Sequence, residues 1–211
     1  MSLHYQGMNI KRLSVANRGC ITFSGRTRKS RNLQPHDLPP LNNEEFRQRL
    51  VFSDDGTAIS YRTIGAGMPL VIIPGSLGMA IDYEEFARQL SGPFTVHVVD
   101  RRGRESGIQG DNYSVEKESE DIQAVCTATN ATCLFGHSYG GFVALEIAFR
   151  DSRFTKIALC EPGLSVDGSI NVDWAPQCQA ELDQGKYSDA LVTFIHGLTP
   201  PHAFFLDGYF E

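Results

Sequence analysis

Ser138 stands in the pentapeptide Gly136-His137-Ser138-Tyr139-Gly140, directly after the apolar run 131–135. A serine with glycine two positions to either side fits a sharp strand-to-helix turn. Such a turn holds the serine in a strained backbone conformation, leaves no room for neighbouring Cβ atoms, and thrusts the hydroxyl out at the end of a sheet. The chemistry open to that hydroxyl is nucleophilic attack on a carbonyl carbon. The five residues by themselves also fit a glycine-rich helix start carrying an incidental serine, so the surrounding elements decide between the two readings.

Those elements come in the required order. Thr132 to Phe135 is short, apolar and bounded by polar residues, and Phe142 to Phe149 is a mostly apolar helical stretch. Leu70 to Ile73, Phe94 to Val99 and Lys156 to Cys160 read as further buried strands, apolar on both faces as parallel strands covered by helices are. Ile81 to Leu90 and Val115 to Thr129 repeat their apolar residues at helical spacing, with acidic residues on the other face. Strand-helix-strand units of this kind predict a doubly wound α/β domain. Ahead of them, Leu50 to Phe52, the turn Ser53-Asp54-Asp55-Gly56 and Ala58 to Ile64 predict an antiparallel hairpin at a sheet edge.

From residue 50 to 211 the chain resembles the α/β-hydrolase family, and three motifs carry the likeness. Val71-Ile72-Ile73-Pro74-Gly75-Ser76-Leu77-Gly78 is similar to the family's strand and oxyanion-hole loop, with Pro74 where many members have histidine. Val99-Asp100-Arg101-Arg102-Gly103-Arg104-Glu105-Ser106-Gly107 resembles the D-R-R-G-R-G-x-S turn of a bacterial-type branch. The serine pentapeptide is the third. The resemblance implies an α/β-hydrolase fold: a mostly parallel sheet with helices on both faces, here incomplete at the C-terminal end, and a partial helical lid. It also implies Ser138 as nucleophile, with the backbone N–H groups of Ser76 and Tyr139 forming the oxyanion hole. A plain connecting turn is the other reading of residues 75–78. Glu161 ends the strand after the serine helix, where some α/β-hydrolases place the acid that orients their histidine; its other reading is a cap before Pro162-Gly163.

The family order is serine, then acid, then histidine, and this chain closes at Glu211 before the strands that would carry the last two are visible. His137 lies inside the turn and should point away from the serine. His97, within a strand, reads as a buried structural histidine. His196 and His202 reach the serine only if the C-terminal helices fold over it. Asp100 is expected to fix its turn and pair with an arginine. Those C-terminal helices, near 176–183 and 187–198, carry Ala190, Leu191, Phe194, Ile195 and Leu198 on one face; they read as the start of a lid or as ordinary packing on the core. Phe204 and Phe205 add to the apolar character expected of a substrate pocket.

Bulk properties narrow the field. Residues 1–50 hold 9 Lys and Arg against 3 Asp and Glu, whereas 51–211 hold 10 against 22, so the fold region is acidic and unsuited to nucleic acid. The short arginine run at 101–104 makes no nucleic-acid groove. Residues 1–36 lack acids and carry Arg12, Arg18, Arg26, Arg28 and Arg31, which fits a disordered tail or an organellar transit peptide. Leu38-Pro39-Pro40-Leu41 marks a linker, giving expected boundaries of 1–45 for a basic, disordered segment, 46–168 for the core and 169–211 for the helical segment. No apolar run approaches the ~20 residues of a membrane helix. Five cysteines without a C-x-x-C pair suit a reducing, cytoplasmic setting. No metal-ligand cluster, phosphate loop or cofactor motif stands out, and the expected partner is a small, apolar substrate. The resulting expectation is a serine hydrolase of small esters or related acyl compounds. The alternatives are a noncatalytic relative that retains only binding, and haloperoxidase or C–C bond hydrolysis on the same catalytic set.

Overall fold

Alternation along one strand shows how the sheet is covered. In Met68–Ile73, Leu70 and Ile72 pack into one apolar cluster with Ala87, Val96 and Val98, while Val71 and Ile73 pack into another with Ile122, Leu134, Val143 and Ile147. A strand apolar on both faces belongs inside a sheet with helices on each side. The computed structural model describes residues 45–104, 113–165 and 170–199, together with the backbone of four short strands at 4–5, 8–9, 13–16 and 20–24.

The strands are β1 (His4–Tyr5), β2 (Met8–Asn9), β3 (Leu13–Ala16), β4 (Cys20–Ser24), β5 (Arg47–Phe52), β6 (Ala58–Ile64), β7 (Met68–Ile73), β8 (Phe94–Val99), β9 (Cys133–His137) and β10 (Lys156–Cys160). The helices are α1 (Glu84–Leu90), α2 (Val115–Thr129), α3 (Tyr139–Arg150), α4 (Ala175–Asp183) and α5 (Tyr187–Leu198). β1 and β2 pair with each other; the other eight form one sheet in the order β3-β4-β10-β9-β7-β8-β6-β5. The central pairs β10–β9, β9–β7 and β7–β8 are parallel, and the flanking pairs are antiparallel. The expected hairpin is therefore present as β5–β6 at one edge.

Two elements differ from expectation. The stretch expected to be one helix from Ile81 begins as a 3-10 turn, Ala80–Tyr83, before α1. Inside the basic segment 1–45, β3 and β4 join the sheet, with β4 antiparallel to β10. Leu13-Ser14-Val15-Ala16 and Cys20-Ile21-Thr22-Phe23 are locally rich in strand-forming residues despite the basic composition around them. Apart from β1, β2 and Glu45, the remainder of that segment, including its arginines and the Pro-rich linker, lies outside the described residues, as do Glu105 to Gly107, His202, Phe204 and Phe205.

The chain divides into two units, Met1–Gly163 and Leu164–Glu211. Within the second, α4 and α5 pack through Trp174, whose ring meets Phe194 edge-on at 5.5 Å. A Cβ on Gly197 would fall 2.1 Å from that indole, so only glycine lets α5 approach it.

Burial sets the acid response of the first unit. His97 is 6% exposed, its Nδ1 lies 3.0 Å from Thr63 Oγ1, and its Nε2 has no hydrogen-bond partner. Desolvation lowers its pKa to about 4. The unfolded chain protonates this imidazole near 6.5 and the folded chain does not. Its contribution to stability is thus complete above about pH 6.5, is lost as pH falls towards 4, and levels off below. Urea midpoints measured between pH 7 and 4.5 should fall more steeply for the native chain than for His97→Gln, by on the order of 2 kcal/mol across that range. Parallel curves would show that another group governs acid sensitivity.

Candidate active site

The order of the sheet creates a crevice before any side chain is considered. After β7 the chain passes to α1 on one face, and after the neighbouring β9 it passes to α3 on the other. At such a switch point the two connections diverge, and the gap beyond the carboxyl ends of the strands is where α/β sheets bind ligands. Register places the expected residues there. Ile73 is opposite Gly136, so the loop 74–78 emerges beside Ser138, and Cys160 is opposite His137, which brings Glu161 to the same level.

Ser138 occupies the turn between β9 and α3 with φ 51° and ψ −121°, a conformation that costs about 1–3 kcal/mol for a residue with a Cβ. Main-chain bonds from three segments hold it, Phe142 N–H reaching its carbonyl at 3.3 Å as part of the helix start. Its N–H donates to Cys160 O at 2.8 Å, and its carbonyl accepts from Gly141 N–H at 2.8 Å and Gly163 N–H at 3.2 Å. The flanking glycines are demanded by contact: a Cβ on Gly140 would lie 2.2 Å from Ile73 O, and one on Gly136 would lie 2.5 Å from Gly140 O. The side chain of Ser138 is partly exposed and makes no hydrogen bond among the described residues. A Cβ on Gly75 would come within 3.3 Å of Ser138 Cβ, so the 75–78 loop lies directly against the serine.

That loop is held by polar groups from three elements. Arg101, 3% exposed, donates from Nη2 to Gly75 O at 3.0 Å and to Ser76 O at 2.8 Å. Its Nη1 reaches both carboxylate oxygens of Glu118 on α2, at 2.8 and 2.9 Å. Its guanidinium stacks over the Tyr139 ring, 4.8 Å from the centroid. Arg104 also donates to Ser76 O, and the Tyr113 hydroxyl donates to Glu118. From the other side, Tyr83 accepts the Gly75 N–H at 3.0 Å and lies 2.6 Å from His137 Nδ1. Burial raises the pKa of Tyr83, Tyr113 and Tyr139, so all three hydroxyls keep their protons at neutral pH. The N–H groups of Ser76 and Tyr139 have no hydrogen-bond acceptor among the described residues.

Of the histidines read from the sequence, the two described in the first unit are held by partners other than Ser138, and His202 lies outside the described residues. His137 is engaged by Tyr83, His97 lies in the sheet against Thr63, and His196 belongs to the second unit. Glu161 is exposed, with φ 46°, in the turn that anchors Ser138 through Cys160 and Gly163. Asp100 accepts from Ala80 N–H at 2.7 Å and from Ser60 Oγ at 3.3 Å, tying the start of the loop's helical continuation to the sheet. Sequence reasoning placed the acids of α2 on its outward face. Two of them, Glu118 and Asp121, are instead buried, paired with Arg101 and Arg102. The signal was present: acids three apart on α2 match adjacent arginines in the turn, so each inward acid has its own cation.

A model of the Alpha/beta hydrolase family matches residues 70–210, and the chain belongs to that family. Among solved structures, an alpha/beta hydrolase from Sphaerobacter thermophilus is 33% identical with a TM-score of 0.67, over 72% of this chain and 62% of that one. The N-formylmaleamic acid deformylase of Pseudomonas putida is similar at 24% identity and a TM-score of 0.53, over 69% of this chain and 62% of the other. An esterase from a Rhodococcus species is similar at 23% and 0.50, over 72% and 68%. The latter two likenesses are of fold. The chain thus spans less than two thirds of the Sphaerobacter hydrolase's length.

Because the elbow is closed by contact at Gly140 and is open at Gly163, where a Cβ would meet nothing nearer than 3.9 Å, alanine at the two positions should behave differently. Gly140→Ala is expected to cost about 3 kcal/mol or more in urea denaturation, and Gly163→Ala less than about 1 kcal/mol. Equal costs would contradict the close packing of α3 on β7.

Proposed function

We propose that the chain is a serine hydrolase of small esters or related acyl compounds, with Ser138 as its nucleophile. The observation that supports this most directly is the left-handed conformation of Ser138, anchored by main-chain bonds on both sides, beside a loop whose Ser76 N–H has no acceptor among the described residues. Ser138 Oγ attacks the carbonyl carbon as its proton passes to a general base that the described residues do not supply; the carbonyl π electrons move to oxygen, and the resulting oxyanion is met by the N–H groups of Ser76 and Tyr139. Donors fixed in advance stabilise that charge without reorganising at the moment of reaction. Leu77, Met79 and Ile81, all exposed, flank the loop and suit an apolar substrate portion. No cofactor enters this reading. A reducing, cytoplasmic setting fits the free cysteines Cys126, Cys133, Cys160 and Cys178.

A second reading rests on the lack of any hydrogen bond from a described histidine to Ser138. On it, the chain is a noncatalytic relative that binds a ligand in the same crevice. Serine without a base is a weak nucleophile, and loss of one triad member costs up to about a millionfold in turnover.

Fluorophosphonate labelling separates the two. The native chain should label covalently at Ser138, and Ser138→Ala should lose at least ~100-fold of that rate. No labelling at millimolar probe would sink the hydrolase reading and leave the binding one. Labelling that persists in Ser138→Ala would place the nucleophile elsewhere.

A further inference from the structure

We propose that Arg101 is a positioning residue that aims the Ser76 N–H at the space in front of Ser138. The carbonyl and N–H of a trans peptide point in opposite directions, and no described peptide bond is cis. Arg101 Nη2 holds the Gly75 carbonyl, so the Ser76 N–H of the same peptide plane is turned away from the guanidinium. The neighbouring groups are fixed as well. Gly75 N–H donates to Tyr83, and Ser76 O accepts from Arg101 and Arg104. Among the four polar main-chain groups of Gly75 and Ser76, the Ser76 N–H alone is left without a partner among the described residues.

Arginine fits this task and lysine does not. One arm of the planar fork is committed to both oxygens of Glu118, which fixes the plane of the other arm on the two carbonyls. The face of the same guanidinium lies over the ring of Tyr139, whose N–H opens α3 next to Ser138. One buried side chain thereby supports the segments that carry both N–H groups lacking an acceptor among the described residues. The aiming of Ser76 is a property of the loop; its effect on turnover rests on the serine-hydrolase reading.

The test uses the whole chain, labelled with ¹⁵N, as native protein, as Arg101→Lys and as the charge-neutral pair Arg101→Met with Glu118→Leu. The pair avoids leaving a buried carboxylate alone, and if it fails to fold, Arg101→Lys carries the test. Order parameters of the Ser76 and Leu77 amides should drop from about 0.85 to below about 0.6 in the variants, while those of β7 and β9 stay rigid. With p-nitrophenyl butyrate, kcat should fall ~100-fold while KM moves by less than about 3-fold. The Ki of a trifluoromethyl ketone, which forms an oxyanion on the serine, should rise by the same factor as kcat/KM falls. Loop amides that stay rigid overturn the proposal. So does a loosened loop with undiminished kcat, or a KM rise with an unchanged ketone Ki. If the native chain shows no Ser138-dependent turnover, the hydrolase reading fails by itself, and the order parameters still decide whether Arg101 aims the loop.

Discussion

The buried guanidinium of Arg101 is the constraint from which the site's geometry follows. A cation removed from water must be met by acceptors on nearly every N–H, or the charge cannot stay. Here Glu118 supplies the counter-charge and the loop after β7 supplies two carbonyls. Replacing a buried pair by apolar residues often costs no stability, so the service such a pair renders is placement rather than cohesion. Arg102 repeats the device one residue on. It spans Asp121 on α2 and Asp55 in the β5–β6 turn, and the Asp121 carboxylate raises its pKa further. Adjacent arginines thus lash a single turn to the loop after β7 on one side and to the sheet-edge hairpin on the other.

Strain at Ser138 is tolerable only because its surroundings are over-determined. The turn is gripped from β10 by the Cys160 carbonyl and the Gly163 N–H, and from α3 by the Gly141 N–H. The glycines of the pentapeptide allow α3 to lie against β7 at backbone contact distance. The same arrangement keeps the serine from relaxing and presents its hydroxyl where the β7 and β9 connections part. β10 therefore does more than extend the sheet: its final residues form the outer wall of the elbow.

Much of this was legible in the sequence, for reasons that differ by element. The parallel strands announce themselves because both faces are apolar, and the elbow because glycines and serine at fixed spacing have few other uses. The α2 acids were harder. Periodicity sorts residues by polarity, so it sends Glu118 and Asp121 outward with Glu116 and Glu120, although two of the four point inward to arginines. Tyr83 was equally hidden, since nothing local marks a tyrosine that will link Gly75 to His137 across distant stretches of chain. β3 and β4 were masked by the arginines around them, because composition averages over segments while pairing depends on a few residues at a time.

At one margin of the sheet β5 pairs with β6 alone among the described strands, and an edge strand of that kind invites fibrous growth by strand addition. Its exposed Arg47 and Arg49 lie on one face of the strand, and its exposed Leu50 and Phe52 lie on the other. A second copy laid against it would bring guanidinium groups into like-charge opposition on one face, while the greasy side chains on the other face favour stacking. The positive charges act as gatekeepers there, so neutralising them by high salt or substitution would turn a guarded margin into a seed for self-association.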